Sequence, residues 1–69
     1  MIEFREEDIK YIAIELPDEV KFYKYAGDFE GEEKVVLSLL KGEMPTALRR
    51  RLELELAICR EMQRDYYTD

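Results

Sequence analysis

The sequence predicts an all-α protein, a single unit of three to four helices spanning residues 1–69. Three observations carry that prediction. An unbroken run from Pro45 to Arg64 places Ala47, Leu48, Leu52, Leu54, Leu56, Ile58, Cys59 and Met62 at helical rather than strand spacing. The few glycines and prolines fall between periodic segments, where helices stop and start. Acidic residues gather just after those breaks, next to the positive ends of the helices they would open. Only one domain fits in 69 residues, a size at which burial of roughly 60% of the unfolded chain's surface leaves marginal stability.

Taken in order, Met1 to Arg5 is a short apolar lead, either an ordered arm or a frayed end. The first helix is expected over residues 6–16, acidic at its start and with Ile9, Ile12, Ala13 and Leu16 spaced by three and four. A competing pattern runs through the same residues. Ile12, Ile14 and Leu16 alternate with Tyr11, Ala13 and Glu15, and Pro17-Asp18-Glu19 followed by Val20 to Tyr25 would close a hairpin over residues 10–25, giving an α+β alternative.

Pro17 breaks the first pattern and suits the opening of a second helix over residues 18–26, with Val20 and Tyr23, together with Phe22 and Ala26, turned inward. Gly27 supplies a left-handed stop, and Asp28 an N-cap for a third helix over 29–41. In that helix Glu30, Glu32 and Glu33 form a solvated acidic first turn ahead of Val35, Val36, Leu39 and Leu40, and Gly31 weakens only this turn. Lys41 and Gly42 end it, Gly42 again as a stop. The fourth helix, 45–64, opens at Pro45 after a minimal connector, so the two are antiparallel neighbours. Leu48, Leu52, Leu56, Cys59 and Met62 form one stripe on it and Ala47, Leu54 and Ile58 a second, an arc wide enough to need cover from two sides. The second half of the chain does not restate the first, so no helical repeat is present.

Composition narrows the function. A net charge of −6, with 17 acidic against 11 basic residues, disfavours nucleic acid and anionic membranes as partners and favours protein. The N-terminus lacks the basic start and apolar core of a secretory signal, and no run is apolar enough to span a bilayer, which points to the cytoplasm. Arg49, Arg50 and Arg51 are the one basic cluster, but consecutive helical residues point about 100° apart and cannot form a basic stripe. Arg49 and Arg50 are expected on a solvated face.

No enzyme is expected. Without histidine, neither a Cys-His nor a Ser-His-Asp arrangement can be assembled within the chain. Cys59, the single cysteine, reads as a small buried hydrophobe with a raised pKa in a reducing compartment. The acids show no calcium-loop spacing, and none is placed to acquire an unusual pKa. The glycines of Gly27-Asp28-Phe29-Glu30-Gly31 mark a helix boundary, since no phosphate-loop Lys-Ser/Thr follows. No metal or cofactor is expected. Arg51 and Glu55 stand apart: at i and i+4 they face each other inside the apolar arc, either as an intrahelical pair at the core's rim or as part of a contact surface. Tyr66 and Tyr67, amphipathic and terminal, either join that surface or fold back on their own helix.

From Tyr25 to Asp69 the chain resembles the N-terminal helical region of bacterial transglutaminase-like proteins. The residues behind the likeness are Gly27-Asp28-Phe29, Pro45, Arg51-Leu52-Glu53-Leu54-Glu55 and Tyr66-Tyr67-Thr68. Where that pattern carries a proline beside the final tyrosines, this chain has Arg64-Asp65-Tyr66-Tyr67. The resemblance implies a non-catalytic accessory or interaction module, whose Cys-His-Asp catalytic triad would lie in a part absent from this chain. The alternative is an independent acidic protein-binding or homodimerisation module. In both, Arg51, Glu55, Tyr66 and Tyr67 are the interface candidates.

Overall fold

A computed structural model describes residues 6–67, and side chains for residues 6–65. The lead Met1 to Arg5 and the side chains of Tyr66 and Tyr67 lie outside the described residues. A short 3-10 turn, Glu6–Asp8, runs into α1 (Ile9–Ile12), followed by α2 (Asp18–Tyr25), α3 (Phe29–Leu40) and α4 (Thr46–Tyr67). The described residues contain no strand, so the hairpin over 10–25 does not form.

The first helix is the main departure from the expected boundaries. It ends at Ile12, not at residue 16, and the chain from Glu15 to Pro17 is irregular. A proline disfavours helical backbone in the residue before it, which takes Leu16 out of the helix. Freed from that register, Leu16 is buried while Ile9, Ile12 and Ala13 are exposed, so of the residues at helical spacing only Leu16 reaches the core. A Glu15–Lys21 ion pair spans the bend.

α2 starts beside Pro17, whose carbonyl accepts from the Val20 and Lys21 amides at 3.0 and 3.1 Å. Val20 is fully buried as expected, Tyr23 is half-buried, and Phe22 and Ala26 face solvent. Gly27 takes a φ of +76°, the left-handed stop read from the sequence. Asp28 then caps α3, its carboxylate accepting from the Gly31 amide at 3.0 Å. Gly31 matters more than as a weak link. A Cβ there would lie 2.6 Å from Asp28 Oδ2 and 2.7 Å from Tyr23 Cδ1, so the close approach of α2 to α3 requires glycine.

The other end of α3 is closed by a different device from the one expected. Gly27 is the only glycine with positive φ among the described residues, so Gly42 provides no left-handed stop. Instead the Arg49 guanidinium, on the first turns of α4, donates to the carbonyls of Leu40 at 2.9 Å and Gly42 at 2.7 Å. These carbonyls carry the negative end of the helix dipole, which a cation neutralises.

Leu16, Val20, Val36 and Leu52 form the buried core, with Val35, Leu39, Leu40, Met44, Leu48 and Leu56 packed against it. α4 is covered by α3 along one side and by α1 on another, and α2 lies on α3. This two-sided cover buries Leu52, Leu54 and Cys59 as the broad arc requires, though Met62 and Ala47 at its ends stay exposed. α4 continues to Tyr67, a turn beyond its expected end near Arg64.

Candidate functional site

Two polar features stand out. One is a charge cluster enclosed between α2, α3 and α4. Arg51 and Glu55 are 5% and 1% exposed, with Nη1 3.0 Å from Oε1 across one turn of α4. Lys24 reaches from α2 to the same Glu55 oxygen at 3.4 Å. Glu32, on α3, is completely buried, and neither of its oxygens accepts a hydrogen bond. Arg51 Nε and Nη1 are likewise without hydrogen-bond partners, so the arginine acts on Glu55 as an ion and not through aligned N–H groups.

Burial, then the adjoining Glu55 carboxylate, pushes the Glu32 carboxyl up to about 8. At Glu55 burial also pushes upward, but the hydrogen bond from Glu32 and the charges of Lys24 and Arg51 outweigh it and hold this carboxyl below the usual range. With its carboxyl raised to about 8, Glu32 is favoured as the neutral acid beside an ionised Glu55 at neutral pH. Glu32 was expected in a solvated first turn. The wheel of α3 explains its burial: Phe29, Glu32 and Val36 fall on one face at spacings of three and four, and Val36 is in the core.

Below this cluster, Cys59 is 1% exposed and its thiol donates to the Phe29 carbonyl at 2.7 Å. Burial, with the nearby Glu32 charge, pushes the thiol up to about 12. A thiol held protonated is a poor nucleophile and a poor metal ligand. Gln63 donates to Glu33 at 2.7 Å and Arg60 to the same carboxylate at 3.0 Å, lacing the N-terminal part of α3 to the later turns of α4. These two donors, Gln63 first, hold Glu33 below the usual carboxylate range.

The second feature is an open cleft of about 400 Å³ where the N-terminal turn meets the start of α4, lined by Glu7, Asp8, Lys10, Tyr11, Thr46 and Arg50. Asp8 is 4% exposed and accepts from Arg50 Nη2 at 2.7 Å and Nε at 3.0 Å. Lys10 sits over the Tyr11 ring at 5.0 Å. Arg50 thus fixes the N-terminal turn on α4, and Arg49 closes α3; neither belongs to a simple solvated face. No sequence signal marked Asp8, because its partner lies 42 residues away.

Of the residues expected at a contact surface, Arg51 and Glu55 are enclosed by the chain itself. Among the described residues the large exposed apolar side chains are elsewhere: Phe22 and Tyr25 on α2, Ile9 and Ile12 on α1, Leu37 on α3 and Met62 on α4.

The fold and both features define a small all-α unit with a buried ionic cluster. Comparison with family models, curated proteins and solved structures returns no match for this chain. No described helix is long and apolar enough to cross a membrane.

Proposed function

We propose that this chain is a non-catalytic helical accessory or interaction module that works by docking on another protein part, in the cytoplasm. The observation that carries the reading is the exposure of large apolar side chains around a small core, above all Phe22 at 70% and Tyr25 at 79%, one turn apart on α2. Side chains of this size left in water on so short a chain are suited to burial against a protein surface. The likeness of residues 25–69 to the N-terminal helical region of transglutaminase-like proteins supports the same reading. Asp28 and the Arg51–Glu55 pair, which belong to that likeness, serve here in capping and core charge pairing. Acidic character favours a neutral or basic partner surface. The free, buried Cys59 is in keeping with a reducing compartment.

The test is sedimentation of the chain over a wide concentration range, with circular dichroism on the same samples and on a Phe22→Ser variant. A helical monomer in the lower part of the usual ~5–15 kcal/mol stability range is the expected result for a module awaiting its neighbour. A dimer whose stability rises with concentration, and which Phe22→Ser returns to monomer, overturns it in favour of an independent homodimerisation module.

A further inference from the structure

We propose that Glu32 and Glu55 form a buried proton-binding site that clamps α3 to α4, so that loss of the shared proton loosens this helical hairpin. Glu55 is served by Arg51 at 3.0 Å and Lys24 at 3.4 Å. Glu32 is fully buried and neither of its oxygens has a hydrogen-bond partner; the Lys24 charge and the Cys59 thiol favour its ionised form, but burial and Glu55 outweigh them. A carboxylate in that state bears its whole desolvation cost, whereas a carboxylic acid becomes a donor to Glu55.

The groups facing Glu32 leave no other solution. From α4 come Glu55, itself paired with Arg51, and Cys59; from α2 comes Lys24. The Cys59 hydrogen is engaged by the Phe29 carbonyl at 2.7 Å. Lys24, with partial access to water, lies 3.4 Å from Glu55; its charge also favours ionised Glu32 but is outweighed there by burial and by Glu55. When the Glu32 proton passes to a base in solution, two anions face each other across the helix interface. Water can reach them only if α3 and α4 part.

The Glu32 carboxyl is raised to about 8 by burial and by Glu55, so the folded chain holds a proton that the unfolded chain has released. Stability is fully present below the ordinary carboxyl range and is lost as pH rises through that value. With no histidine in the chain, no other side chain ordinarily titrates between about pH 6 and about pH 8.

The experiment is a carbon-13 carboxyl NMR titration of the glutamate-labelled chain, paired with urea unfolding across the same pH range for wild type, Glu32→Gln and Glu55→Gln. Glu32 should titrate near 8, and the wild-type folding constant should fall about ninefold between about pH 6 and about pH 7 and about fivefold more by about pH 8. Glu32→Gln, whose amide donates permanently, should flatten that slope, leaving only the α-amino group. Glu55→Gln should move the Glu32 midpoint down. A Glu32 midpoint in the ordinary carboxylate range overturns the proposal, as do parallel slopes in wild type and Glu32→Gln or an unmoved midpoint in Glu55→Gln. Should Glu32→Gln fail to fold, the wild-type titration decides by itself.

Discussion

Replacing Arg51 by methionine should cost this fold most of its stability. The guanidinium is buried to within a few per cent of completely, and it is the closest cation to a Glu55 carboxylate that is itself 1% exposed. Methionine fills much the same space, so packing is largely kept and the loss is electrostatic. Removing one member of a buried ion pair typically costs about 3–5 kcal/mol, because the partner charge is left without compensation. Lys24, at 3.4 Å and with 36% of its side chain exposed, offsets only a part of that. At roughly 0.05–0.15 kcal/mol per residue, a chain of 69 residues has some ~3–10 kcal/mol in total. Arg51→Met should therefore leave a chain that is partly unfolded at ambient temperature. Adding Glu55→Gln removes the stranded charge while keeping an acceptor for Glu32, and should restore all but about 1–2 kcal/mol. Urea unfolding followed by far-UV circular dichroism measures both variants. The reasoning fails if Arg51→Met stays within about 1 kcal/mol of wild type, the behaviour of an exposed pair. It fails equally if the double variant is no more stable than the single one.

Other expectations concern the ends of the helices. Asp28→Ala removes the acceptor for the Gly31 amide and should cost about 1 kcal/mol by the same assay. Gly31→Ala should destabilise although alanine is the better helix former by about 1 kcal/mol, because its Cβ would press on Asp28 and on the Tyr23 ring, 2.6 and 2.7 Å away; a stabilised variant would refute the close approach. Glu33 is held below the usual carboxylate range by Gln63 and Arg60, so its contribution is present above the ordinary carboxyl pKa and is lost as pH falls through the lower folded value. Glu33→Gln should accordingly show a shallower acid-side decline than wild type in a pH series of thermal melts.

The helical class, the Gly27 stop, the Asp28 cap, the Pro45 entry and the inward pairing of Arg51 with Glu55 were legible because each depends on residues within about four positions of one another. Leu52, Leu54 and Cys59 were legible by periodicity. Part of what escaped depends on distant partners. Arg49 and Arg50 read as solvated until α3 supplies carbonyls to one and Asp8 to the other. Glu32 could have been found, since it lies in register with Val36; the pull of an acidic first turn outweighed that spacing. The first helix was overextended because Ile9, Ile12 and Leu16 share a helical period that Pro17 does not let the chain complete. The interface expectation fell on Arg51 and Glu55 through their unusual place in an apolar arc, and the fold uses that place internally.

The hold of Arg49 on Leu40 and Gly42 also sets the permissible length of the connector it bridges. The last carbonyls of α3 find their donor nine and seven residues along the chain, close enough that this hairpin can assemble by local search before the N-terminal segment arrives. Inserting even a few residues between Gly42 and Pro45 would carry the guanidinium away from both acceptors. Loop-closure entropy would change little by such an insertion, so natural or engineered lengthening at this turn is restricted by bonding geometry. Cuts or grafts intended to leave the hairpin intact belong in the irregular stretch before Pro17, on the other side of the fold's local unit.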